Sequence, residues 1–306
     1  MPPRRPQLLK EEAMSLASEL LQYVLSGLTM GGIYALVALG FVIIHNVTGI
    51  INFAQGEFVM LGAMFMVTLI GVGAPTPLAI ILSIILVMIV VGIIEFGAIR
   101  SAKKASPVTL VIITIGLSTA IRGIALLVWG TNPYKLAPFT KGGPYHIGGA
   151  IIVPQSLWVI GTTAVVLALT LFMFEYTYWG KALRACMVNK FAARLMGISP
   201  SRMSLFAFVF SAALGALAGM VIAPITYVTY DMGLMLGLKG FVAAVLGGLS
   251  STPGAVIGGL ALGVIESLGA GLLSSGYKDG ISFIILLLVL FLKPGGIFGT
   301  SGTKRV

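Results

Sequence analysis

Along this chain, long apolar runs alternate with brief polar links. Runs of about 20 apolar residues, enough to cross a bilayer core as helix, fall near 20–45, 51–73, 77–99, 108–129, 155–175, 205–226, 236–272 and 280–293. They predict an all-α polytopic membrane protein with about eight hydrophobic segments. The seventh run is too long for one simple span. The last is short and stops at Lys293-Pro294-Gly295-Gly296. Two links are longer than the rest: 130–154, rich in proline and glycine, and 176–204, rich in lysine and arginine.

Orientation follows from the basic links. Lys181, Arg184, Lys190, Arg194 and Arg202 place 176–204 in the cytoplasm by the positive-inside rule. Counting back, 130–154 faces outside, and 99–107, with Arg100, Lys103 and Lys104, faces inside. The ends fit less simply. Full spans at 20–45, 51–73 and 77–99 put the amino terminus outside, yet residues 1–19 carry Arg4, Arg5 and Lys10 against Glu11, Glu12 and Glu19. Lys293, Lys304 and Arg305 draw the other end to the cytoplasm, so 236–272 must cross twice or not at all.

Both conflicts fall where the helical pattern breaks, at NVTGIINFAQGE (46–57) and at GGLSSTPGA (247–255). Helix-breaking backbone at membrane depth persists only where protein or a wet cavity satisfies its amides. Interrupted segments in the two halves of a chain point to a transport site. The two stretches therefore read as broken or re-entrant helices, with Gly247, Gly248, Pro253 and Gly254 at the second break. The alternative is a pair of ordinary turns outside the membrane.

Asn52, Gln55 and Glu57 sit in the first break, where facing lipid is costly. Two roles stay open for them: capping the ends of a broken helix, or lining a polar path. Glu57 suits the first turn of a helix starting near Gln55, where the helix dipole favours negative charge. Glu95, Arg122 and Glu266 are further charges in or near spans. Glu95 sits at an inner end, where snorkelling serves it. Arg122 and Glu266 form a candidate buried ion pair. Gly27 and Gly31, Gly215 and Gly219, Gly259 and Gly263, with Ala212 and Ala216, recur at the spacing that lets membrane helices approach closely.

Composition agrees. Of 306 residues 58% are hydrophobic and 9% charged, against roughly 25% charged in a soluble domain. The net charge of +10 sits between apolar runs, which is membrane topology rather than a nucleic-acid surface. The single cysteine, Cys186, excludes an internal disulfide; His45 and His146 lie far apart, and no short Cys/His metal motif is present. No metal or cofactor is expected. The apolar run after Arg4, Arg5 and Lys10 is too long for a cleaved signal peptide and reads as a retained span.

In the basic link, Leu183, Met187, Phe191 and Leu195 fall four apart, an apolar row on one face of a short helix. Lys190 and Arg194 share another face. Gly197 ends the helix and Pro200 starts the next. Such an element can lie on headgroups or enter a groove on another protein; its glycine-closed helix-turn-helix form favours docking. No G-x-x-x-x-G-K-[ST] phosphate loop, Ser-His-Asp arrangement or dinucleotide fingerprint is present. An enzyme is not expected, and any pump must take its free energy from another subunit or an ion gradient.

Three blocks carry a resemblance. GLTMGGIYALVALGFVIIHNVTGIINFAQGEFVMLGA (27–63), GKALRACMVNKFAARLMGISPSRM (180–203) and GLKGFVAAVLGGLSSTPGAVIGGLALGVIES (237–267) occur in order, followed by KPGGIFG (293–299). Together they resemble the LivH-like permeases of branched-chain amino acid ABC transporters. The resemblance implies a type II importer-like bundle in the bacterial cytoplasmic membrane. Its partners would be a homologous second permease, two ATP-binding cassette subunits and an extracytoplasmic substrate-binding protein. Domain limits would be an amino-terminal segment 1–19, which its leucines could make an interfacial helix; a permease domain 20–300 holding the coupling loop 176–204; and a tail 301–306. Arg184, Met187, Phe191, Ala193, Leu195 and Gly197 fall in the coupling region, and Asn52, Gln55 and Glu57 in the broken-helix signature. Leucine, isoleucine and valine are the default substrates, with other amino acids, amides and urea as competitors. A gradient-driven carrier using Glu57, Glu95 and Glu266 is the alternative, and a passive channel a third reading.

Overall fold

The computed structural model describes residues 5–102 and 105–299, with side chains from residue 16 onward. The chain is built almost wholly of helices. At its centre stands α1 (Arg5–Thr48), whose residues from Ile33 to Ile44 are buried without a break. A helix apolar all round is stable only when enclosed, and α1 is enclosed by α5 (Pro154–Tyr176), α8 (Pro200–Ile222), α9 (Met232–Gly247) and α10 (Thr252–Leu272). The glycines expected to bring helices together do so between α1 and α10. A Cβ on Gly27 or Gly31 would run into the backbone of Gly263 or of Gly259 and Leu260. Between α2 (Gln55–Gly71) and α8, Gly62 meets Ala216 and Gly219 meets Val59.

Around this centre lie α3 (Thr76–Ile94, continued by a π turn through Ile99), α4 (Pro107–Trp129) and α11 (Lys278–Leu292). Their outer faces are apolar: Ile81, Ile85 and Ile89 on α3, and Ile284, Leu287, Leu288 and Phe291 on α11. Seven of the described helices are long and apolar enough to cross a membrane, and α2 and α9 are shorter. The only described sheet is a hairpin, β1 (Tyr145–Ile147) and β2 (Ala150–Ile152), turned by Gly148 and Gly149 at φ 58° and 84°. Two successive positive φ values are those of the turn that matches strand twist.

The two ends of the bundle can be told apart. At one, Lys190 Nζ donates to the Thr48 carbonyl and Asn46 reaches Ser250. At the other, Ile151 N donates to Gln22 Oε1 and Trp129 Nε1 to Thr68 Oγ1. So α1 starts at the hairpin end and finishes at the basic end, and α2 leads back.

Several expectations need correction. The first helix, α1, runs from Arg5 through residue 20 without a break; residues 1–4 and the tail 301–306 lie outside the described residues. The row Leu183, Met187, Phe191 and Leu195 does not share one face. Asn189 ends α6 (Tyr178–Val188) in an extended conformation and caps α7 (Lys190–Leu195) through Phe191 N and Ala192 N. The kink turns Leu183 inward, fully buried, and leaves Phe191 and Leu195 outward. Glu95 does not snorkel: it is buried and accepts from Ser204 Oγ at 2.9 Å. The break at Gly247, Gly248, Pro253 and Gly254 is a tight turn at the basic end, because α10 beyond it is itself of spanning length. Gly248 takes φ 103°, and Ile297 N and Phe298 N cap the carbonyls of Leu246 and Gly247.

Candidate translocation site

The first break behaves differently. Residues 49–54 leave α1 at the basic end and turn back into the bundle, where α2 begins at Gln55. Gln55 Oε1 accepts from Ser211 Oγ at 2.7 Å, and its Nε2 donates to the Ser211 carbonyl. Ser211 is the middle residue of α8 (Pro200–Ile222). The start of α2 is therefore level with the middle of a spanning helix, ~17 Å from its end at 1.5 Å per residue.

A second helix starts at the same level. After α8 the chain turns back through 223–231, pinned by the pairing of Val228 with Tyr134, and α9 begins at Met232. Its first turn touches the first turn of α2: a Cβ on Gly233 would lie 2.8 Å from Glu57 Oε2, and one on Gly237 2.9 Å from Gly56 Cα. Two amino-terminal helix ends thus meet inside the bundle. Each carries the positive end of its helix dipole, while Gln55 N, Glu57 N, Met232 N and Leu234 N bond to the carbonyls of Asn52, Ala54, Thr229 and Asp231. Neither cap residue, Ala54 or Asp231, supplies a side-chain hydrogen bond to its helix.

The surrounding side chains answer this field. Asn52 Oδ1 accepts from Ala54 N at 3.2 Å. Glu57, in the first turn of α2, accepts from Ser118 Oγ at 2.8 Å and pairs with Arg122 Nη2 at 3.1 Å. Thr114 Oγ1 accepts from Phe53 N and donates toward the Ile51 carbonyl. Thr114, Ser118 and Arg122, four apart on α4, form one polar row facing the 51–57 link. That spacing is visible in the sequence, but Thr114 and Ser118 were not among the expected site residues. Asn52 Nδ2 and Glu57 Oε2 are buried without a hydrogen-bond partner.

The expected pair of Arg122 with Glu266 is not formed. Arg122 belongs to Glu57. Glu266 lies in a separate buried cluster, ion-paired to Lys239 of α9 and accepting from Tyr34 Oη at 2.6 Å and Ser282 Oγ at 3.2 Å. Lys239 also pairs with Asp279 at 2.7 Å. Each carboxylate found the cation on the helix packed beside it, a choice set by three-dimensional neighbours. Sequence reasoning missed Lys239, although its place inside the apolar run 236–272 sets it apart from a loop lysine.

At the basic end, Val188, Phe191, Leu195 and Met196 make an exposed apolar patch beside exposed Lys181 and Arg194. Arg184 and Ala193 face the other way. Arg184 pairs with Glu175 at 3.0 Å and bonds the Phe174 carbonyl, Ala193 is buried, and Met187 is half-buried against the core. Gly197, at φ 79°, closes α7. Burial pushes the Cys186 thiol on α6 up from its ordinary value, partly offset by Lys190.

Residues 23–290 match the family described as branched-chain amino acid transport system, permease component. The chain is 35% identical to the high-affinity branched-chain amino acid transport system permease protein LivH of Salmonella typhimurium, over 94% of this chain and 97% of that one. It is 32% identical to the corresponding BraD of Pseudomonas aeruginosa, over 94% and 98%. A probable LivH of Methanocaldococcus jannaschii is 29% identical over 88% and 89%.

Proposed function

Since the chain belongs to the branched-chain amino acid transport system permease family, we propose that it forms half of an amino-acid pathway through the bacterial cytoplasmic membrane, driven by ATP hydrolysis on other subunits. A homologous permease supplies the other half. Two ATP-binding cassette subunits dock at the basic, cytoplasmic end, and an extracytoplasmic binding protein delivers leucine, isoleucine, valine or related amino acids at the hairpin end.

The observation that carries the reading is the patch of Val188, Phe191, Leu195 and Met196. Phe191 is 69% and Leu195 74% exposed on a helix of six residues. So short a helix does not stand free in water, and its exposed apolar side calls for a groove on a partner. Motion of a docked ATPase reaches the pathway by a short route: α7 holds the end of α1 through Lys190 and Thr48, and residues 49–54 join that end to the junction of α2 and α9.

The test is the double variant Phe191→Asp, Leu195→Asp in the complete reconstituted importer. Both positions are exposed, so the bundle still assembles, while ATP hydrolysis no longer drives uptake. Coupling equal to the unaltered complex removes the docking claim. Uptake that follows an ion gradient and ignores ATP removes the importer reading itself.

A further inference from the structure

The junction of α2 and α9 holds more polar chemistry than its helices need. Asp231 caps α9 with no hydrogen bond from its side chain, and the residue is exposed. It lies within electrostatic reach of Glu57. Arg122 is 24% exposed and binds Glu57 and Ser118 through Nη2, while its Nε is buried without a partner. Glu57 Oε2, facing the first turn of α9, and Asn52 Nδ2 are unpartnered on side chains that are 1% exposed. Buried polar atoms are nearly always paired, so this concentration of unmet capacity marks a place where something else binds.

Signs and surroundings say what. An exposed carboxylate at this level of the bundle would cost ~3 kcal/mol against lipid, so the surface at Asp231 faces a wet cavity or another protein. The spare acceptors, Asp231 and Glu57 Oε2, complement an ammonium group. The spare donors, Arg122 Nε and Asn52 Nδ2, complement a carboxylate. Leu234 and Met235, partly exposed in the first turn of α9 after Asp231, give an apolar wall and offer no partner for a polar side chain.

We propose that this junction is a transient station for a zwitterionic α-amino acid, with Asp231 and Glu57 taking its ammonium, Arg122 and Asn52 its carboxylate, and Leu234 and Met235 its apolar side chain. It deepens the amino-acid permease reading and rests on it. The permease then selects cargo after the binding protein has released it. Because the station sits where two half-buried helices begin, tilting α4 or α9 separates its anionic and cationic halves and lets the cargo go.

Asp231→Asn is the decisive variant, since the side chain is exposed, nearly isosteric and bonds nothing in its helix. The assembled importer in proteoliposomes, with its binding protein, is assayed for leucine taken up per ATP hydrolysed. The expected result is a drop of about tenfold, the loss of one charge-assisted contact. In the detergent-purified complex without binding protein, radiolabelled leucine is displaced by leucine more readily than by leucinamide or 4-methylpentanoate; Asp231→Asn narrows the preference over 4-methylpentanoate. Unchanged uptake per ATP in Asp231→Asn, or equal displacement by all three compounds in the unaltered complex, overturns the station. Failure of the unaltered importer to take up any amino acid overturns the underlying reading instead.

Discussion

Gly56 and Gly233 face each other where the first turns of α2 and α9 cross, so closely that a methyl group on either would strike the other's backbone. Two shorter helices whose first turns cross inside a bundle need this contact, since no side chain fits between them. Gly56→Ala is therefore expected to destabilise the folded subunit by at least ~1–3 kcal/mol, the usual cost of overpacking, because a backbone carbonyl cannot rotate away. Gly116 on α4 borders open space, with nothing within 4 Å of the position a Cβ would take, so Gly116→Ala should be neutral or slightly stabilising. Thermal unfolding of the purified subunit checks both; equal melting points would show that the junction tolerates a side chain.

Lys239 and Glu266 make a second, independent test. Lys239→Met leaves Glu266 buried with only Tyr34 and Ser282 as donors. Removing one partner of a buried pair costs ~3–5 kcal/mol, whereas removing both can be nearly neutral. The double variant Lys239→Met, Glu266→Leu should thus be more stable than Lys239→Met alone. Yield and melting temperature read the order, and a double variant worse than either single one would show that the pair itself stabilises the bundle.

Much of this architecture is legible in one dimension, because membrane spans are written as length and hydrophobicity. The polarity of Asn52, Gln55 and Glu57 within an apolar run marks the first break, and a carboxylate suited to a helix start leads to Gln55 as the first residue of α2. What stays hidden is pairing and depth. The sequence pairs Arg122 with Glu266, and only α4 seen beside α2 gives it to Glu57. The glycine-rich stretch at 247–255 looks like a buried break and is a turn at an end. The link that returns to mid-level, 223–231, carries no comparable glycine signal; only the contact of Gly233 with Gly56 and Glu57 reveals it. Asn189 hides a kink that divides one apparent apolar face into two.

The proposed coupling can be weakened without touching the proposed docking patch. Lys190 Nζ donates to the Thr48 carbonyl at 2.8 Å, tying α7 to the end of α1, and Gly49 follows at φ 79°. Lys190→Gln shortens the side chain and removes its charge, while Phe191 and Leu195 stay in place. ATPase subunits should co-purify as before, and uptake per ATP should fall by about threefold, the order of one surface-exposed charge-assisted contact. Full coupling in this variant would place the relay elsewhere.

Cys186 offers a probe of the same region, since it is the single cysteine of the chain. It lies on α6, 1% exposed, among the residues that anchor the docking element to the core. Burial raises its thiol, and Lys190 only partly offsets this. A raised value means that the folded protein holds the proton more tightly than the unfolded chain. The stabilisation is full below the unfolded pKa and is lost as pH rises through the folded one. Because the thiolate is the reactive form, N-ethylmaleimide at about pH 8.5, near the ordinary thiol value, should label Cys186 slowly in the folded subunit and rapidly after denaturation. Lys190→Gln should slow native labelling further by removing the nearby positive charge. Labelling that accelerates in this variant would show that Lys190 holds α6 and α7 against the bundle as well as tying α7 to Thr48.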